Sequence, residues 1–262
     1  SPLKVSYLGP EGTYTHLATI NHFGNSILSN AFSSVEEVFA SVEKRDSHYG
    51  VVPVENSTQG IVSSTLDMFM KSSLKIAGEI EIIINHNMLS KSDNPSDIKK
   101  IYAHPQSFSQ CKQWLDKNYA DCDKVNALSN AEAALIASKE KDSAAIASEA
   151  AADIYGLNML SKNIQDNQNN STRFLVIGNR DTEPSGNDKT SIIVSTKNNS
   201  GALYELLKPL SKNNVSMTRI ESRPSKHNNW EYLFYLDLDG HIKDEPLKKA
   251  NEEIKKEASL YR

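Results

Sequence analysis

Cysteine is almost absent: Cys111 and Cys122 are the only two in 262 residues, and no Cys-x-x-Cys spacing occurs. That leaves no disulfide framework or thiolate metal cage to read, and reduced thiols are expected. No apolar run approaches the roughly 18 residues of a membrane span, and no signal-peptide pattern opens the chain. The expectation is a cytoplasmic protein without a membrane partner. Basic residues are not in excess either: 29 Lys and Arg against 33 Asp and Glu give a net charge of −4. Such a balance offers no footprint for nucleic acid. The seven histidines are scattered, with no pair at metal-ligand spacing, so no metal is expected. Gly-rich nucleotide loops and a Gly-x-Ser-x-Gly elbow are missing too, and no cofactor is expected. The remainder is ordinary, 38% hydrophobic and 24% charged, at a length suited to one large domain or two smaller ones.

The chain is organised around Asn169-Asn170-Ser171-Thr172-Arg173-Phe174-Leu175-Val176-Ile177, which starts polar and ends as an apolar run. The run predicts a buried strand, with a hydroxyl and a guanidinium at its mouth beside a ring. Arg173 offers a planar fork for a carboxylate, and Thr172 a neutral donor for a hydroxyl. A surface ion pair would explain Arg173 as well, and both readings stay open here.

Upstream, residues 4–8 alternate like a first strand and run into Gly9-Pro10-Glu11-Gly12-Thr13, a turn whose Thr13 can cap the next helix. Ser34 and Glu37 form a capping box before Val35, Val38, Phe39 and Val42. A short strand over 49–54 ends at Pro53, and the polar Glu55-Asn56-Ser57-Thr58-Gln59-Gly60 follows. In open α/β sheets ligands bind at such strand ends. Further strands are expected at 74–84, 101–103, 124–128 and 143–147. Between them lie an amphipathic helix marked by Phe108, Cys111, Leu115 and Tyr119, and an alanine-rich one from Ala131. A helix ending at Gly156 closes the series. This alternation predicts a mostly parallel sheet covered by helices. Glu55 is a candidate base or orienting group. His104 is a candidate acid, a role that lone histidines rarely fill, and Asn56, Ser57 and Gln110 are neutral donors for a substrate's oxygens.

Residues 179–188 read as a linker. Beyond it, strands at 190–196, 215–224 and 230–238 interleave with helices from Gly201 and after Asp244. This order resembles a ferredoxin-like βαββαβ unit whose closing strand would start near Leu260.

Four motifs in this order, Gly9-Pro10-Glu11-Gly12-Thr13, Val52-Pro53-Val54-Glu55-Asn56-Ser57, His104-Pro105-Gln106 and Ser171-Thr172-Arg173-Phe174, resemble those of the prephenate dehydratase family. Gly201-Ala202-Leu203 and Glu221-Ser222-Arg223-Pro224 resemble the phenylalanine-binding motifs of its ACT regulatory domain. The resemblance covers essentially the whole chain. It implies an α/β, two-lobed catalytic domain of periplasmic-binding-protein type over 1–180, with crossings near 74–84 and 157–170. A linker over 181–188 and a ferredoxin-like ACT domain over 189–262 would follow. Relatives fused to chorismate mutase carry a helical domain before the first strand, whereas the strand here begins at Lys4, so the monofunctional form is expected.

The activity implied is a hydro-lyase converting prephenate to phenylpyruvate in phenylalanine biosynthesis. Thr172 and Arg173 would be catalytic, with Thr13, Glu55, Asn56, Ser57, Gln110 and Phe174 around the substrate. L-phenylalanine would bind at Gly201, Ala202, Leu203, Ser216, Glu221, Ser222, Arg223 and Pro224 in a homodimer or homotetramer. Ala103 replaces a serine common in relatives, and Ser216 an Asn or Asp, which bears on effector affinity. Alternatives are arogenate dehydratase and a non-catalytic amino-acid-sensing binding protein.

Overall fold

The computed structural model describes residues 1–226 and 231–262, which divide into two compact units, Ser1–Asp181 and Thr182–Arg262. The first unit has two lobes, each a mixed sheet.

In the first lobe the chain runs β1 (Lys4–Leu8), α1 (Tyr14–Phe23), β2 (Leu28–Phe32), α2 (Val35–Glu43), β3 (Tyr49–Asn56), β4 (Gly60–Ile61), α3 (Ser63–Lys71) and β5 (Lys75–Ile83). It then crosses to β6 (Asn87–Ser90), β7 (Lys100–Ala103), α4 (Pro105–Gln110), α5 (Lys112–Asn118), β8 (Asp123–Asn126), α6 (Asn130–Ala137), β9 (Ser143–Ala147), α7 (Glu149–Tyr155) and β10 (Asn158–Ser161). Finally it returns to the first lobe as β11 (Ser171–Gly178).

The first sheet has the order β2-β1-β3-β11-β5, with β4 on β3, and the second β10-β6-β9-β7-β8. Neither is mostly parallel. The β1–β2, β1–β3, β7–β8 and β7–β9 pairs are parallel. The strands next to the crossings, β5, β11, β6 and β10, pair antiparallel. A chain that leaves one sheet by its edge and re-enters beside the same strand must run against it. The crossings are stitched together: Ile84 N donates to Asn170 O at 2.8 Å, and Ile164 N to His86 O at 2.8 Å.

Both faces of the first sheet are covered. Tyr7, Val51, Ile80, Ile82, Phe174 and Val176 pack with Ala18 of α1 on one face, and α2 and α3 cover the other. In the second lobe, β9 is buried throughout, and Ala133, Ala134, Ala137 and Ala151 of α6 and α7 pack close because they carry only a methyl group.

Several local expectations change. Strand β3 continues past Pro53 to Asn56, because the ladder with β11 has an irregularity there: Glu55 faces Arg173, and Pro53 faces Phe174. A proline fits a strand where a bulge spares its missing N–H. The helix expected through Phe108 and Tyr119 breaks at Cys111, whose φ of −114° and ψ of 13° leave the helical region. The capping box is half formed. Ser34 Oγ accepts from Glu37 N at 3.2 Å, but the Glu37 carboxylate turns to Ser33.

The second unit is β12 (Lys189–Ser195), α8 (Ala202–Lys212), β13 (Met217–Pro224), β14 (Tyr232–Asp239), α9 (Glu245–Glu257) and β15 (Leu260–Tyr261), with the sheet order β13-β14-β12-β15. That is the ferredoxin-like arrangement, closed by a two-residue strand at Leu260. The strand expected from Trp230 is described from Tyr232, and Trp230 itself lies outside the described residues. Residues 182–188 of the expected linker are fastened to this unit. His241 Nε2 donates to Thr182 O at 2.6 Å, and Lys243 Nζ lies 2.9 Å from Glu183. Asp244 starts α9, but its carboxylate accepts from His241 N at 2.9 Å instead of capping the helix.

Candidate active site

In the first unit the carboxyl ends of β1 and β3 and the first residues of β11 meet at one edge of the first sheet. The carboxyl end of β9 faces that edge from the second lobe, since Ser148 Oγ donates to Gly12 O at 2.8 Å. Gly12 has φ +86°, and an added Cβ would lie 3.3 Å from Ala151. A side chain there would be both strained and pressed against the opposite lobe.

Thr172 and Asn56 stand opposite each other in the β11–β3 ladder. Asn56 Nδ2 donates to Thr172 Oγ1 at 2.7 Å. The sense of that bond is forced. Asn56 Oδ1 already accepts from the backbone N–H of Thr58 at 3.0 Å and of Gln59 at 3.2 Å, so only the amide nitrogen can face Thr172. The threonine oxygen therefore receives a hydrogen, and its own hydrogen is left for a ligand.

Arg173 does not join Thr172. Successive strand residues face opposite sides of a sheet, and Arg173 lies on the α2–α3 side, 8% exposed. Its Nη2 is 3.2 Å from Glu55 and its Nη1 is 3.8 Å from Glu79. The two expected ligand groups Arg173 and Glu55 hold each other, and the guanidinium ties β11 to β3 and β5. Phe174 shares the Thr172 face but is 1% exposed within the core, so it supports the site from beneath.

Ser57 is also spent locally. Its hydroxyl donates to Asn170 Oδ1 at 3.0 Å and accepts from Ser171 N at 2.9 Å, which pins the β3–β4 turn to the start of β11. Thr13 caps α1 by accepting from His16 N at 3.2 Å. His104 caps α4 through Nδ1, which accepts from Gln106 N at 3.2 Å. A ring nitrogen occupied in this way gives His104 a structural part. Gln110 ends α4, and its Oε1 lies 2.6 Å from His86 Nε2.

His86, Tyr14, Asn85 and Gln165 were not legible as site residues. Tyr14 Oη donates to Asn85 O at 2.7 Å and lies 2.9 Å from His86 Nδ1. His86 N donates to Gln165 Oε1 at 2.9 Å. A lone histidine in a polar crossing has no periodic signal, and only the fold shows it between the lobes. Burial lowers the pKa of His86, against a smaller opposing effect of its bond to Gln110. Cavities of about 390 and 260 Å³ exist in this unit, but neither is lined by Thr172, Asn56 or Gln110. The candidate site is defined by its hydrogen bonds.

In the second unit Gly201 precedes α8 with φ +79°, and nothing among the described residues lies within 4 Å of a would-be Cβ. Ser195 pairs with Leu233, and Leu233 with Arg223, so Arg223 and Pro224 end at the same edge of the sheet as β12. Ser216 sits at the opposite end, where its carbonyl accepts from Asp239 N at 2.9 Å. Seven residues of strand, roughly 23 Å, separate it from Arg223. One copy of the unit does not bring Ser216 to the other effector candidates.

Comparison with known proteins follows the same lines. A chain from Pseudomonas aeruginosa named bifunctional chorismate mutase/prephenate dehydratase is 48% identical over 261 residues, 98% of this chain and 71% of that one. The solved prephenate dehydratase of Arthrobacter aurescens, in complex with L-Phe, superposes with a TM-score of 0.89 at 30% identity, over 99% of this chain and 88% of that one. A structure described as GqqA, a novel type of quorum quenching acylase, also reaches 0.89, at 25% identity over 99% and 95%. The fold alone thus does not fix an activity. The family profile described as prephenate dehydratase matches residues 5–182, across both lobes and every residue of the Asn56–Thr172 pair. With that match and a relative at 48% identity, the chain belongs to the prephenate dehydratase family.

Proposed function

We propose that the chain converts prephenate to phenylpyruvate, carbon dioxide and water, with the first unit as catalyst and the second as an ACT-type effector domain. Residues 1–180 would form the catalytic domain, 181–188 the linker and 189–262 the regulatory domain. The observation that carries the reading is the forced Asn56–Thr172 hydrogen bond, which leaves a threonine hydrogen to be donated. Prephenate carries a carboxylate and a pyruvyl group on one ring carbon and a hydroxyl across the ring. As the bond to the ring carboxylate breaks, its electron pair completes the aromatic ring. The hydroxyl departs as water with one proton drawn from the solvent, so the step balances without an electron acceptor. Thr172 donates a hydrogen bond to the leaving oxygen, a kind of assistance worth about 10²–10⁴-fold when proton transfer accompanies it. Asn56 holds Thr172 in that role, and Gln110 and Thr13 line the substrate's path from the two lobes. Arg173 and Glu55 brace the strands beneath.

L-phenylalanine, which the Arthrobacter aurescens enzyme binds, is the proposed effector, bound near Gly201 and Arg223. Because Ser216 lies at the far end of the same unit, a second copy would have to supply it, in keeping with a homodimer or homotetramer. The setting proposed is the cytoplasm. The test is to incubate purified protein with prephenate, and separately with arogenate, and follow phenylpyruvate and phenylalanine. Phenylpyruvate formed at an enzymatic rate supports the reading, and turnover of arogenate alone assigns the activity to the ammonium-bearing substrate.

A further inference from the structure

His86 lies in the outgoing crossing and is 2% exposed. It touches Tyr14 of one lobe through Nδ1 at 2.9 Å and Gln110 of the other through Nε2 at 2.6 Å. Proton counting decides what passes between them. Tyr14 has one hydroxyl hydrogen, and the Asn85 carbonyl oxygen stands 2.7 Å away. A carbonyl only accepts, so the tyrosine hydrogen points there, and the bond between Tyr14 and His86 must use a hydrogen on Nδ1. In a neutral ring Nε2 is then bare. Oε1 faces Nε2 in the structure, and a bare Nε2 can bond Gln110 only with the side-chain amide turned over, so that its nitrogen donates to the ring and its oxygen points outward. In an imidazolium Nε2 donates to Gln110 Oε1 and turns the amide nitrogen outward.

The surroundings favour the neutral ring. Burial opposes its charge, and no carboxylate is bonded to it among the described hydrogen bonds. Tyr14 from α1 is the titratable group bonded to it; Cys111, beside Gln110, acts on Tyr14, and Asp166, on the returning crossing, acts on Cys111. Burial raises the first well above its ordinary pKa and the Cys111 thiol to about 12, so both are neutral. Asp166 turns its carboxylate to the backbone amides of Gln113 and Trp114 at 2.9 and 3.1 Å.

We infer that His86, held by Tyr14 with its hydrogen on Nδ1, is a positioning residue that presents the carbonyl oxygen of Gln110 to the cleft, and its amide nitrogen once the ring is protonated. The inference rests on the proposed contact between Gln110 and substrate. Prephenate has a single hydrogen-bond donor, the ring hydroxyl. A Gln110 oxygen that accepts this hydrogen turns the hydroxyl's lone pairs toward Thr172.

Two measurements on the full chain test this. With ¹⁵N-labelled histidine, the ring nitrogens of His86, assigned by their loss in His86→Gln, should report the Nδ1–H tautomer at pH 7.5. The Nε2–H tautomer would overturn the inference whatever the variants do. In kinetics, His86→Phe should lower kcat/KM about tenfold, the scale of one hydrogen bond. His86→Gln, which retains an acceptor for Gln110, should recover to within about threefold of wild type, and His86→Phe should add nothing in a Gln110→Leu background. Equal effects of His86→Phe in both backgrounds would overturn the positioning role. Wild-type kcat/KM in Gln110→Leu would remove Gln110 from the substrate and sink the inference with it. An impaired Gln110→Leu with the Nε2–H tautomer sinks the inference alone.

Discussion

Thr172→Val removes the hydroxyl while keeping the branched shape that the strand accommodates. Two consequences follow from the same atom. The leaving oxygen loses its donor, so kcat should fall by about 10²-fold or more. Asn56 Nδ2, 2.7 Å from Thr172 Oγ1, loses its acceptor and cannot turn over, because its oxygen is fixed by the amides of Thr58 and Gln59. An unsatisfied donor costs about 1–3 kcal/mol when buried. Asn56 is half-buried, which places the cost near 1 kcal/mol, or a Tm lower by about 2–4 °C for a domain of this size. Thr172→Ser keeps both bonds and should stay within about tenfold of wild-type kcat, since only the methyl that fixes χ1 is lost. The assay is phenylpyruvate absorbance alongside thermal melts. Thr172→Val with more than about a third of wild-type kcat would exclude Thr172 as the donor to the leaving oxygen. So would Thr172→Ser as damaged as Thr172→Val.

Arg173→Met should act on stability and leave recognition alone. Removing the guanidinium that faces Glu55 and Glu79 costs about 3 kcal/mol, the low end for a buried pair because the carboxylates are partly exposed. A urea midpoint unchanged beside a tenfold rise in KM would return Arg173 to the substrate. Acidification should destabilise the first unit below about pH 6.5. Burial depresses the pKa of both His16 and His86, so the unfolded chain binds protons first, and the stability present above the unfolded value is lost as pH falls. Urea midpoints that rise between pH 7 and 5 would contradict that sign. Gly201→Asn, a residue that tolerates φ +79°, places a side chain over the first turn of α8. The ratio of turnover with and without L-phenylalanine should then move to one, and inhibition identical to wild type would place the effector elsewhere.

Much of this architecture was legible in residue order. The capping threonine at Thr13, the all-buried Ser143–Ala147 strand and the left-handed Gly156 cap each follow from local chemistry. Strand direction was not legible, because whether β5 and β11 run with or against β3 depends on where the chain crosses between lobes. β2 carries no strand signal, because its four leading residues are exposed and do not alternate. The tetrapeptide Asn-Met-Leu-Ser makes both β6 and β10, which pair with each other and are too short for a period. For the candidate site, residue order shows the polar groups but not their partners. Thr172 faces Asn56 across β11 and β3, and Gln110 reaches His86. The separation of Thr172 from Arg173 was already implied by their adjacency in a strand, whose consecutive side chains face opposite sides. His86 needed the fold, since its partners are 72 and 24 residues away.

The proposed reaction couples loss of the ring carboxylate to departure of the ring hydroxyl. Prephenate labelled with ¹³C in the ring carboxylate tests it directly. One labelled carbon dioxide is expected for each unlabelled phenylpyruvate, released together at the enzymatic rate by wild type and about 10²-fold more slowly by Thr172→Val. Label retained in the organic product, or equal rates from the two proteins, would contradict it.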